Sequence, residues 1–215
     1  MANDFGFTPE ELRKLRGLKD PDGIQRFLDD LPYHIADTAW SPRRVLRETT
    51  AHCFEGAIFA AAALRVLGYP PLIIDFEAQS DTDHVLAAYK VRGRWGTIAK
   101  SNYTNCRGRE PVYRSLRELA MSYFQTYFNM RRQRSLRTFS QPVNLKRFDD
   151  QQWMTTDKPI WFIVYHLIDI PHTKLLTPAI IRNLHRADER TFKGEILGKA
   201  YKKKPGGAVP GHNFG

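Results

Sequence analysis

Cys53-Phe54-Glu55-Gly56-Ala57-Ile58-Phe59-Ala60-Ala61-Ala62-Ala63-Leu64-Arg65-Val66-Leu67-Gly68-Tyr69-Pro70-Pro71 is the stretch on which the fold turns. Apolar residues fall on every side of a 3.6-residue period, which predicts a helix buried all round rather than one lying on a surface. Gly68 offers a left-handed stop, and Pro70-Pro71 forbids continuation. Leu72-Ile73-Ile74-Asp75-Phe76 then reads as a short strand, residues 79–83 as a polar connection, and residues 84–91 as a second strand. Arg92-Gly93 turns the chain back through residues 94–99, a hairpin signal. A buried helix followed by three antiparallel strands predicts an α+β fold.

Outward from this centre the signals are local. Thr8-Pro9-Glu10-Glu11 is a capping box with proline at the first helical position. Asp20-Pro21 starts a second helix with Ile24, Phe27, Leu28 and Leu31 on one face, and Ser41-Pro42 starts a third. Ser115-Leu116-Arg117-Glu118 caps a helix carrying Leu119, Tyr123, Phe124, Tyr127 and Phe128. Residues 131–150 read as polar, basic and irregular. The apolar run 160–168 reads as helix, with Asp157 as its cap and Pro159 near its first turn. Thr177-Pro178 opens a last helix through Ile180, Ile181 and Leu184 and onward to Leu197. From Gly198 the composition shifts to Lys, Gly and Pro. The predicted organisation is therefore N-terminal helices (1–40) packed on a single α+β domain (41–197), followed by a basic flexible tail (198–215).

With 42% hydrophobic and 26% charged residues among 215, the chain can bury a sizeable core, which excludes extended disorder. No apolar run approaches the ~18 residues of a membrane span. Met1-Ala2-Asn3-Asp4 lacks the basic start of a signal peptide. Two cysteines make no disulfide framework, so a reducing, cytoplasmic setting is expected. The net charge of +10 is concentrated between residues 107 and 147, with ten basic against two acidic residues. Such a field attracts nucleic acid or another polyanion, or is simply a solvated surface. No zinc-finger spacing or aromatic RNA-binding signature accompanies it.

Cys53 stands at the head of the buried helix, where unpaired N–H groups and the helix dipole favour thiolate, the nucleophilic form. The alternative is a small apolar side chain filling space. His84, at the start of a strand, is a candidate general base if that strand brings it beside the thiol; otherwise it is a structural histidine. His52 follows poorly as a base, since consecutive helical side chains diverge by about 100°. His52, Cys53, His84 and Cys106 lack the spacing of a structural zinc site, and no metal or cofactor is expected. Trp40 and Tyr33 can wall a substrate cleft. Asp75, Glu77, Asp81 and Asp83 approach the sheet edge near His84, with Asp83 the best placed as a charge partner.

Together, the Cys53-Phe54-Glu55-Gly56-Ala57 start, the Gly68-Tyr69-Pro70 end, Asp83-His84-Val85-Leu86-Ala87 and the hairpin Gly93-Arg94-Trp95-Gly96-Thr97-Ile98 resemble the transglutaminase-like (papain-like cysteine enzyme) superfamily over residues 41–103. The resemblance implies a papain/transglutaminase-like core, Cys53 as nucleophile, His84 as general base, a thioester intermediate, and a peptide or amide substrate. The family's orienting aspartate falls at Ala99, whose methyl group accepts nothing. Asn102 is then the candidate third catalytic group, with Ser101, on the strand face of Ala99, a weaker one. Trp40, Asp83 and Ser101 are the candidate substrate-binding residues. The missing aspartate also leaves open a catalytically degenerate module that binds an anionic partner through its Arg-rich half.

Overall fold

The computed structural model describes residues 4–201. Three capped helices, α1 (Pro9–Gly17), α2 (Pro21–Asp30) and α3 (Pro42–Glu48), precede the buried helix α4 (Cys53–Val66). Each of the three has proline in its first turn, and Thr8, Asp20 and Ser41 accept the free amides there. Gly68, at φ +92°, ends α4, with Tyr69 N–H donating back to Leu64 O at 2.8 Å. The strands β1 (Leu72–Ala78), β2 (His84–Val91) and β3 (Arg94–Ile98) follow. Arg92 and Gly93 both have positive φ, as a tight two-residue hairpin turn requires.

β4 (Arg109–Tyr113) and α5 (Leu116–Phe124) come next. Residues 131–150 are not irregular: they supply β5 (Leu136–Ser140), β6 (Val143–Asn144) and a 3-10 helix (Leu145–Gln151). Both strands pair with β1, so tertiary pairing rather than local propensity forms them. Helix α6 (Trp161–Asp169) occupies the apolar run, with Ile160 at its N-cap instead of Asp157; Ile160 N–H is already taken by Ala39 O at 2.8 Å. After β7 (His172–Lys174), the expected single last helix is two short ones, α7 (Pro178–Arg182) and α8 (Glu189–Glu195). Ala187 N–H is drawn to Arg132 O at 2.9 Å, and Asp188 caps a fresh start by accepting from Thr191 N–H.

The sheet has seven strands in the order β4-β3-β2-β1-β5-β7, with β6 also on β1, and every pairing is antiparallel. The class is α+β. Alternate residues divide between two cores. Ile73, Val85, Ala87 and Tyr89 face α4, which α1, α2 and α3 cover from its other sides. Ile74, Phe76, Leu86 and Ala88 face α5. The helices within residues 4–40 thus belong to the same core as α4. The tight fit shows at Gly56, where any Cβ would collide with Lys100 Cβ. Lys100 is buried there, and its Nζ donates to Leu28 O at 2.6 Å and to Leu31 O, closing the C-terminal end of α2. No helix among the described residues is long and apolar enough to cross a membrane.

Candidate active site

Cys53 opens α4, and the turn before it is held from below by Glu55. That carboxylate is fully buried, the one acidic side chain in a largely apolar helix. It accepts from Thr38 Oγ1 at 2.6 Å, Trp40 N–H and His52 N–H at 3.2 Å, and faces His34 Nδ1 at 3.1 Å. The preceding segment is tied in by a bridge between Tyr33 and Ala51, with His34 N–H on Ala51 O at 3.1 Å. These contacts bring the Tyr33 ring against Cys53, and its hydroxyl interacts with the thiol.

His84 heads β2 in register with Phe76, while Val85 lies on the α4 side. Both Cys53 and His84 line one cavity of about 40 Å³ at the end of β2, between the two helical layers. Tyr33, Cys106, Tyr127 and Phe128 line it too. That volume suits a water molecule or two and not a peptide. His84 is buried, and its Nε2 lies 2.7 Å from Cys106 O. A carbonyl only accepts, so Nε2 carries the hydrogen and Nδ1 keeps the lone pair.

Burial sets the protonation of both groups. It pushes the Cys53 thiol up, against the pull of the Phe54 and Val85 amides and the Tyr33 hydroxyl. The expectation of a resting thiolate is thereby corrected: desolvation outweighs the helix terminus. Burial also lowers the His84 imidazole from its ordinary 6.5 to about 4, the Cys106 carbonyl opposing and Arg109 assisting. At neutral pH the site holds a neutral thiol and a neutral imidazole.

The other sequence candidates divide. Asp83, Ser101 and Asn102 line the cavity. Asp83 Oδ1 accepts from Ala78 N–H at 2.8 Å, and burial raises its carboxyl. Ser101 Oγ accepts from Tyr103 N–H at 3.0 Å. Asn102 does not orient His84: its amide is bonded to Ala200, and the Cys106 carbonyl stands behind the imidazole in its place. Trp40 does not line the cavity; it stacks on His34 at 4.1 Å, under the Arg44 guanidinium at 4.5 Å. Tyr33 was legible as an aromatic upstream of Cys53; Glu55 was not singled out, and its signal is a carboxylate among apolar neighbours. The Cys106 carbonyl had no signal, since every residue carries one. Among the described residues, no three His, Cys, Asp or Glu side chains are placed to hold a metal ion.

Several arginines of 107–147 are engaged within the fold. Arg107 pairs with Asp29, Arg109 lies over the Tyr123 ring at 3.9 Å, Arg117 donates to Leu175 O, and Arg147 meets His166. Gly198–Tyr201, expected as free tail, is anchored beside the site through Asn102 and Tyr103; residues 202–215 lie outside the described residues.

The two buried acid–base groups on this sheet act in opposite senses on stability. The unfolded imidazole protonates near 6.5 and the native one near 4, so acidification across that window favours unfolding, by about 3 kcal/mol at completion. Asp75, 3.1 Å from His172, is pushed up to about 6 by burial, so its native carboxyl gains a proton before the unfolded one and favours folding as pH falls from about 6. Urea midpoints of the wild type should therefore change little between pH 6.5 and 4, while those of Asp75→Asn should fall. Parallel slopes for the two chains would contradict this.

In comparison with known proteins, the sequence matches no protein-family model and no curated protein.

Proposed function

We propose that the protein is a cysteine-dependent acyl-transfer or amide-hydrolysing enzyme of transglutaminase-like, papain-like type. The observation that carries this reading is the 2.7 Å bond from His84 Nε2 to the Cys106 carbonyl, in the cavity that also holds Cys53. It fixes the tautomer in which Nδ1 accepts a proton, the role the third member of a triad serves. No hydrogen bond joins the Cys53 thiol to His84 in this structure, so as Sγ attacks a carbonyl carbon its proton passes to Nδ1 across the small cavity that both line; the resulting imidazolium strengthens its hold on Cys106 O, now a charge-assisted bond. The proton then leaves with the amine, and water or a second amine resolves the thioester. The Cys53 amide and the Tyr33 hydroxyl are the donors for the developing oxyanion. Because both groups start neutral, proton transfer accompanies attack instead of preceding it.

The test is acyl-enzyme formation. Incubation with p-nitrophenyl acetate at pH 7.5 is expected to add one acetyl group at Cys53, mapped by peptide mass spectrometry, and Cys53→Ala to abolish it. Label at lysines alone, or equal label in Cys53→Ala, would overturn the assignment.

A further inference from the structure

Asn102 and Tyr103, on the wall of the Cys53 cavity, both hold a piece of this chain's own C-terminal stretch. Asn102 spends both ends of its amide on one residue: Nδ2 donates to Ala200 O at 2.9 Å, and Oδ1 accepts from Ala200 N–H at 2.8 Å. A side-chain amide used this way reads extended polypeptide through its main chain, whatever side chain that residue bears. The preceding residue is read through its side chain. Lys199 Nζ donates to Tyr103 Oη at 2.6 Å, lies 4.2 Å from the centre of that ring, and approaches Met130 Sδ at 3.4 Å. Asp81, on the same cavity wall, adds a negative charge that suits an ammonium.

The stretch lies beside the cavity, on the loops that wall it. Ser101, Asn102 and Tyr103 come from the loop after β3, and Thr126, Tyr127 and Phe128 from the loop after α5. Met130 continues the second loop and its Sδ lies 4.0 Å from Tyr103 Oη, so Lys199 sits where the two loops meet, outside the cavity itself. The stretch is delivered there by Glu195, fully buried at the end of α8, which accepts from Asn105 N–H at 2.9 Å and from its side chain at 2.6 Å. Thr104 Oγ1 adds a bond to Leu197 O at 3.3 Å.

Resting on the acyl-transfer reading, we propose that Asn102, Tyr103 and Met130 form a polypeptide-binding subsite beside Cys53, selective for a lysine or arginine side chain. Gly198-Lys199-Ala200-Tyr201 fills it in cis as a stand-in for substrate. An incoming polypeptide then gains its contacts by displacing this stretch from the loops that wall the cavity.

Access to Cys53 tests the proposal without requiring turnover. In a chain ending at Leu197, alkylation of Cys53 by a bulky maleimide, mapped to separate it from the buried Cys106, should accelerate about tenfold or more, as three hydrogen bonds and a cation–π contact are lost. A capped Gly-Lys-Ala-Tyr peptide at millimolar concentration should restore protection, and Gly-Glu-Ala-Tyr should not. The full chain carrying Lys199→Glu and Ala200→Pro should accelerate likewise, which guards against misfolding of the shortened one. An unchanged rate in both chains, or equal protection by the two peptides, would overturn the subsite. Release of Cys53 in a protein that forms no acyl-enzyme would keep the subsite and remove the enzymatic reading; acylation without release would remove the subsite alone.

Discussion

Glu55→Ala is expected to lower the unfolding free energy by about 3–5 kcal/mol, the range for removing one member of a buried charged network. The carboxylate is fully buried and is the common acceptor for Thr38, Trp40, His52 and His34. Its loss leaves several donors facing an apolar void, each costing about 1–3 kcal/mol if water does not reach it. His34 and His52 are partly exposed and recover some hydration, which keeps the total below a simple sum. Glu55→Gln keeps one oxygen but turns an NH2 group towards donors, so an intermediate loss is expected. Urea unfolding followed by circular dichroism measures both. A loss under about 1 kcal/mol for Glu55→Ala would mean the network is not what holds the head of α4. The same variant should disturb Cys53, because residues 33–40 and the turn at residues 51–52 meet on this carboxylate.

The second large effect is chemical. His84→Ala should slow acylation of Cys53 by p-nitrophenyl acetate about 10²–10⁴-fold, the usual contribution of a positioned general base. The thiol is held up by burial, so little thiolate exists at neutral pH to react unaided. The rate in the variant should therefore climb steeply towards alkaline pH, while the wild type stays nearly flat down to the acid limb set by His84 near pH 4. Ser101→Ala, which removes only an acceptor for Tyr103 N–H, should leave the rate close to the wild type. Equal rates and equal pH profiles in wild type and His84→Ala would end the role assigned to the imidazole.

What could be read beforehand was whatever neighbouring residues decide among themselves. Thr8, Asp20, Ser41 and Ser115 cap helices because a hydroxyl or carboxylate reaches amides three residues on. Gly68 and the Arg92-Gly93 turn likewise need no distant partner. β5 and β6 were invisible because they exist by pairing with β1, some sixty residues back in the chain. The division of the last helix was invisible for the same reason, resting on Ala187 reaching Arg132. At the site, the placement of Cys53 and His84 around one cavity follows from a helix head and a strand head in one layered fold. Their protonation did not follow, because a dipole is written in the secondary structure and desolvation only in the packing. Trp40 was misplaced because aromatic character alone does not say which side of the Glu55 network a ring will occupy.

The partner behind the imidazole belongs to the main chain, and this changes how such a site can be lost or disguised. No single codon change deletes the oxygen of residue 106; only a shift of the loop that presents it can. Holding the oxygen in place falls to the shape of that loop, which the side chains of Asn102, Tyr103 and Asn105 fasten to the chain's far end. A fingerprint assembled from side-chain identities passes over it, while a search for a ring nitrogen facing a backbone oxygen beside a helix-head sulfur would pick it out.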